Sequence, residues 1–251
     1  MKLALSTTFI AILFLNIISS NALAPDVQGR ASAGLALRSS VVLTRTEQGE
    51  KGRGFCGGTI VAQDLVLTAF HCVRTTIGEK ENRTLGVREY VDQKKVKVAR
   101  VVWYRAGADL ALLRVDEPLR GRVASLVADV VVGEAIIVIG SPGSTSVVAE
   151  FMLTRGWVGL IRTEEFTKCD GSPDTFGGDL HQIIFGNVRA YFGNSGGGAF
   201  NEAGDLMGVL VRGEIAEGDD YVCSSLHPYK GEDFLWAYIV GPDELRKVPR
   251  P

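Results

Sequence analysis

The chain has 251 residues, 46% hydrophobic and 22% charged, with a formal net charge of −2. That balance suits a globular protein with a sizeable core, and it excludes the basic footprint of a nucleic-acid binder or of a protein held to an anionic membrane surface. Four cysteines without a C-x-x-C spacing argue against a zinc module.

Lys2, the apolar run from Leu3 to Ile18 and the small residues around Ala22 and Ala24 read as a secretory signal peptide over residues 1–24. Cleavage is expected near Ala22 or Ala24, with an uncleaved anchor as the alternative. The apolar core is short for a membrane span, and no other stretch is long enough for one. The remaining residues, 25–251, are then expected in a secreted or periplasmic protein. In that oxidising setting the even number of cysteines reads as two disulfides. Of the three possible pairings we favour Cys56–Cys72, which would tie a strand to the turn carrying His71, leaving Cys169–Cys223.

Pro25 to Leu37 is rich in small residues and aperiodic, so a loosely ordered arm is expected there. β-branched or apolar runs predict strands at Ser39–Thr44, Gly54–Val61 and Leu65–Ala69, and Phe70–Val73 should form a short helical turn. Asn82-Arg83-Thr84 is a formal glycosylation acceptor. Leu85–Val91 and Lys95–Tyr104 alternate polar and apolar side chains, as half-buried strands do. Leu110–Val115 is a further strand, and Asp116–Val123, with Pro118 and Gly121, reads as a crossing between two halves. The second half should hold strands at Ala135–Ile139, Val147–Thr154, Trp157–Ile161, Ile183–Val188 and Leu206–Val211, with a short piece near Tyr221. Thr163–Asp179 reads as a surface loop. Phe234–Val240 and Pro242–Lys247 are expected to be helical. Many short strands with glycine turns and almost no helix argue an all-β sandwich or pair of barrels.

Chemistry concentrates at three places. In Gly193-Asn194-Ser195-Gly196-Gly197-Gly198 the glycines free the backbone to turn sharply and approach a ligand. Serine becomes nucleophilic only with a base to take its proton and donors to hold the oxyanion. His71, ending the apolar Leu67-Thr68-Ala69-Phe70 run, suits a rigidly held base. Asp109, at the mouth of Leu110-Ala111-Leu112-Leu113, is a carboxylate whose burial calls for a partner, and an imidazole N–H would satisfy it. Taken singly, His71 could be a structural histidine and Asp109 a turn residue.

Together, Phe55-Cys56-Gly57-Gly58-Thr59-Ile60 with Thr68-Ala69-Phe70-His71-Cys72, then Asp109-Leu110-Ala111-Leu112-Leu113, then Gly193-Asn194-Ser195-Gly196-Gly197 resemble the trypsin/chymotrypsin-like serine peptidases over nearly the whole mature chain. The resemblance implies two six-stranded antiparallel Greek-key barrels, at 39–116 and 133–232, with a helical segment at 233–248. It further implies Ser195 as nucleophile, His71 as general base then acid, Asp109 as orienting carboxylate, and the N–H groups of Gly193 and Ser195 as the oxyanion hole. A protein or peptide substrate and a monomeric enzyme are expected, with no metal or organic cofactor needed for the chemistry. His181 and His227 match no catalytic position and read as structural or surface residues.

Departures from the pattern shape the expectations. Asn194 stands where trypsin-like zymogens carry an aspartate that pairs with a new N-terminal amine, and no Ile-Val-Gly-Gly start lies between Ala22 and Ser40. Activity without trypsinogen-type cleavage is therefore expected, as in bacterial secreted members with Gly-Asn-Ser-Gly. Arg189, Arg212 and Gly213 are candidate pocket residues. The arginines would favour an acidic side chain, or else point out of their strands into solvent. Tyr191 occupies a position of the usual pocket-edge disulfide, and Val211 replaces a serine near the catalytic aspartate. A peptidase-fold binding protein, or a highly selective protease with little general activity, is the alternative function.

Overall fold

A computed structural model of the chain describes residues 25–47, 53–77, 83–141, 149–164, 181–191, 193–213 and 236–250. Six strands, β1 (Ser40–Glu47), β2 (Arg53–Ala62), β3 (Leu65–Ala69), β4 (Arg83–Glu89), β5 (Asp92–Arg105) and β6 (Leu110–Val115), close into one antiparallel barrel in the order β1-β2-β3-β6-β5-β4. Another six, β7 (Ala135–Gly140), β8 (Met152–Glu164), β9 (His181–Asn187), β10 (Gly198–Phe200), β11 (Leu206–Gly213) and β12 (Trp236–Val240), close a second barrel in the order β7-β8-β9-β12-β11-β10. The two orders are the same, so the halves repeat a topology although their sequences show no repeat of fixed period. Closure removes the unpaired sheet edges that an open sheet of either half would carry.

The apolar pattern of each strand follows its surroundings. In β7, Ile136 and Val138 join one buried cluster while Ile137 and Ile139 join the other, so an uninterrupted apolar run serves both faces. The larger cluster runs from barrel one through Ile137, Ile139, Phe200 and Val209 of barrel two, which glues the halves together. β5 departs from the expected phase. Val96 and Val98 lie exposed, and Lys97 between them is only 3% exposed. Its ammonium meets the buried Glu89 carboxylate at 2.5 Å, and the other Glu89 oxygen accepts the N–H groups of Arg120 (2.6 Å) and Gly121 (2.7 Å) in the crossing between barrels.

Three sequence expectations are corrected. The arm is an α-helix, α1 (Pro25–Arg38). Pro25 opens it, where a missing N–H is harmless, and alanines and leucines favour it, although Gly29 and Gly34 blur its periodicity. The helix docks on barrel two: Ser32 donates to the Glu202 carbonyl, Arg155 to the Gly29 carbonyl, and Leu35 packs on Gly204. The segment expected as the helix Phe234–Val240 contains β12 instead, with Trp236-Ala237-Tyr238-Ile239-Val240 paired to both β9 and β11. Aromatic and β-branched residues fit a pleated surface, and barrel two needs this sixth strand to close. Barrel two therefore reaches residue 240, and the C-terminal helix shrinks to α3 (Pro242–Leu245). Finally, β8 starts at Met152 and runs unbroken to Glu164, where two strands were expected. The Tyr221 piece, the Thr163–Asp179 loop beyond Glu164, Asn82, His227 and the Cys169–Cys223 pair lie outside the described residues.

Candidate active site

β3 ends at Ala69, and the chain turns into the four-residue helix α2 (Phe70–Val73). On the neighbouring strand, a short 3-10 turn over Ala106–Ala108 leads to Asp109, which adopts the left-handed conformation at φ 50°. Aspartate tolerates that region better than most residues, and here it turns the carboxylate toward α2. The Phe70 N–H donates to the Asp109 carbonyl at 2.9 Å, and the His71 N–H donates to Asp109 Oδ1 at 2.8 Å. His71 Nδ1 lies 2.6 Å from Asp109 Oδ2. An ionised carboxylate only accepts, so Nδ1 carries the proton and Nε2 of the neutral ring is left with its lone pair. The Asp109 side chain is 3% exposed and that of His71 28%, so the acid is shielded while the base still reaches solvent and ligand.

The disulfide Cys56–Cys72, with Cα atoms 6.2 Å apart, joins β2 to α2 as favoured from the sequence. Cys56, His71 and Cys72 place potential metal-binding atoms within 4.8 Å of one another. Two of the three are sulfurs spent in the disulfide, so the cluster offers no thiolates and does not fit a metal. The Cys72 sulfur lies 3.8 Å from His71 Nε2 and 3.6 Å from the Ser195 carbonyl oxygen, and so stands in contact with both halves of the site.

The serine loop is held into the cleft by its backbone. Gly57 N–H of β2 donates to the Ser195 carbonyl at 2.8 Å, a direct bond between the barrels. Gly196 N–H donates to Leu210 O at 2.7 Å, Leu210 N–H to Gly197 O at 2.9 Å, and Asn194 N–H to Tyr191 O at 2.9 Å. Gly193 (φ 96°) and Gly196 (φ 78°) take conformations that disfavour a side chain. At Gly196 a Cβ would also stand 2.2 Å from Thr68 Oγ1 and 2.5 Å from Gly57 O. Among the described residues, the N–H groups of Gly193 and Ser195 donate to no partner, and no hydrogen bond joins the Ser195 hydroxyl to the His71 ring. Asn194 is fully buried behind Gly140, and both its amide atoms lack a partner among the described residues, as does Ser141 Oγ.

The remaining candidates separate. Arg189 is exposed and lines a cleft of about 440 Å³ with Gly29 and Ser32 of α1, Arg155, Trp157 and Asn187. Arg212 is half-buried on β11, two residues beyond the Leu210 that clamps the serine loop, and opposite Tyr238 in register. Burial pushes its guanidinium below the ordinary arginine value, while the Asp109 carboxylate and Tyr238 pull it back up. Gly213 ends β11. His181 is fully buried and lies 3.6 Å from Glu244 of α3. Glu244 also takes bonds from Arg105 (2.5 Å) and Lys247 (2.7 Å). The register shift between Leu210 and Arg212 in the β11–β12 pair was not visible in the sequence.

Comparison with known proteins agrees with this fold. The sequence pattern of the family described as Trypsin matches residues 26–227. Among solved structures, the fold resembles the active form of the Rv3671c protease from M. tuberculosis, with TM-score 0.63 and 18% identity over 89% of this chain and 85% of that one. It resembles Deg5 at TM-score 0.61 and 16% identity, over 88% and 92% of the two chains. An HtrA-type protease with a tripeptide matches at TM-score 0.61 and 15% identity, covering 86% of this chain and 60% of that one. With the family pattern covering barrel one, five strands of barrel two and all three site segments, the chain belongs to the trypsin family.

Proposed function

We propose that the chain is a serine endopeptidase that cleaves peptide bonds through an acyl-enzyme. The observation that carries the reading is the 2.6 Å bond from His71 Nδ1 to the shielded Asp109 carboxylate, beside a serine loop bonded across the cleft by Gly57. His71 Nε2 would take the proton of the Ser195 hydroxyl as it attacks the scissile carbonyl, and then pass that proton to the leaving amine. Asp109 would hold the tautomer and stabilise the imidazolium. The N–H groups of Gly193 and Ser195 would receive the oxyanion.

The site would need no trypsinogen-type cleavage. The Asn194 amide cannot form the ion pair that such activation uses, and residues 25–38 are already engaged as α1 on barrel two. Export by the amino-terminal signal to the periplasm or beyond is supported by the Cys56–Cys72 bond, since disulfides persist in oxidising compartments. The mature protein would act alone on protein or peptide, with Arg212 and Gly213 along the groove. Arg189 is less favoured as a pocket residue, because it lines the cleft beside α1.

The test is a fluorophosphonate probe on the purified mature chain. Labelling of wild type at Ser195 and none of Ser195→Ala is expected; a folded wild-type protein that resists the probe overturns the reading. The missing hydrogen bond between Ser195 and His71 favours a second reading, a peptidase-fold binding protein. Catalytic bonds are often loose before substrate arrives, so we rank it second. It gains if the probe fails and a partner protein co-purifies.

A further inference from the structure

The helix that carries His71 is too short to hold itself. α2 has four residues and no side-chain cap at Ala69, so its place is set by contacts from outside. Asp109 grips its start, taking the N–H groups of Phe70 and His71. At the other end, the carbonyls of the last turn need donors. The Thr76 hydroxyl donates to the Val73 carbonyl at 2.6 Å. The Cys72 carbonyl, next in sequence to His71, accepts from Arg45 Nη2 of β1 at 3.0 Å. The same nitrogen donates to Thr75 Oγ1 at 2.8 Å. The guanidinium carbon of Arg45 also stands 4.4 Å from the centre of the Phe55 ring, a cation–π contact. Phe55 lies in a bulge of β2: Leu43 of β1 pairs with Cys56 and Thr44 with Gly54, so the ladder passes over Phe55 and frees its ring to turn toward Arg45. One planar side chain thus touches the chain beside both cysteines of the Cys56–Cys72 bond.

We propose that Arg45 is a positioning residue for His71, a clamp from β1 that fixes the carboxyl end of α2 against Phe55 and so keeps Nδ1 on the Asp109 carboxylate. This deepens the peptidase reading and, as far as its catalytic consequence goes, rests on it. Asp109 holds α2 only at its first two N–H groups, and the disulfide tethers the far end through a run of single bonds that can turn. Without Arg45 the short helix pivots about Asp109 and carries the imidazole with it. A shift of about 1 Å in a reacting group can cost on the order of 100-fold in rate. Lysine at this position would reach the Cys72 carbonyl as a point charge but lacks the flat fork that stacks on Phe55, so it would restore part of the clamp.

The experiment reads the tautomer of the neutral His71 ring from its nitrogen NMR shifts, observed through the carbon-bound ring protons, in the Ser195→Ala background. The chain has three histidines, and a His71→Gln control identifies the signals of His71. The parent is expected in the Nδ1–H form that the Asp109 bond dictates. In Arg45→Met the Nε2–H share should rise by roughly tenfold, and Arg45→Lys should reverse part of that rise. Thr75→Val, at an exposed position, removes one of the two acceptors of Arg45 and should move the ratio the same way by less. A merely structural residue would lower the unfolding temperature and leave the tautomer of the folded protein alone, so a folded Arg45→Met with the parent's ratio overturns the proposal. If Arg45→Met does not fold, Arg45→Lys and Thr75→Val decide, and a ratio unmoved in both overturns it. Because the readout needs no turnover, failure of the fluorophosphonate test would sink the peptidase reading while leaving the clamp measurable. In an active enzyme with Ser195 intact, Arg45→Met should lower kcat on an ester substrate roughly tenfold with KM within roughly twofold of wild type, and an unchanged kcat would overturn the catalytic consequence.

Discussion

Asp109 carries two demands at once: a left-handed backbone and a carboxylate bonded twice to a single residue. Replacing it with asparagine keeps the shape but turns one acceptor into a donor, so the His71 Nδ1 proton loses its place and the wrong tautomer faces Ser195. We expect Asp109→Asn to fold and to lose roughly 10³–10⁴ in kcat on an ester substrate; full activity would remove Asp109 from the mechanism. Gly196→Ala is expected to fail differently. Its Cβ would meet Thr68 Oγ1 and Gly57 O at a positive φ, so a loss of about 2–4 kcal/mol in urea unfolding should accompany any loss of turnover. His71, Asp109 and Ser195, the residues proposed for the site, could be singled out in the sequence because each interrupts an apolar strand or a glycine loop and because their three segments together resemble the trypsin-like peptidases. The register shift between Leu210 and Arg212 in the β11–β12 pair could not be, because no local pattern of the chain encodes how a strand slips against its partner.

At the scale of elements, the short strands were legible because Val, Ile and Leu alternate or run unbroken between turn residues. Two segments misled for opposite reasons. α1 has alanines for helix but two glycines and a weak apolar stripe, so its order comes from docking on barrel two rather than from a face visible in one dimension. β12 is a five-residue apolar run that periodicity cannot tell from a buried helical turn; pairing on both sides decides it. The disulfide between β2 and α2 is where element and site meet. It closes a loop of 16 residues' separation, so Cys56→Ser/Cys72→Ser should lower stability by about 3 kcal/mol, read as a drop in Tm. Because the Cys72 sulfur touches both Ser195 and His71, the variant should also lose turnover at temperatures where it is folded. Unchanged kcat would show that β3 and β6 alone hold the base.

Across the whole molecule, two barrels of identical strand order must be held at a fixed offset if the proposed acid and base of the first are to serve the proposed serine of the second. Apolar burial supplies most of the adhesion, but a few polar ties set the register: Gly57 to Ser195, Arg105 to Glu244, and the Glu89–Lys97 pair that grips the crossing. The last is the phase inversion of β5, where the strand turns Val96 and Val98 outward and Lys97 in. Glu89 answers three donors there, the Lys97 ammonium and the N–H groups of Arg120 and Gly121, with Lys97 also reaching the Pro118 carbonyl. Glu89→Gln would leave the ammonium buried and poorly matched, a loss of about 3–5 kcal/mol by analogy with other broken buried pairs. Glu89→Met with Lys97→Met removes both charges, and for an ordinary buried pair that exchange is often neutral. Here it should recover only part of the loss, because two backbone donors of the crossing are stranded at about 1–3 kcal/mol each. Chemical unfolding of the single and double variants separates the two outcomes. Full recovery in the double variant would mean that the crossing is held by apolar packing and that Glu89 serves Lys97 alone.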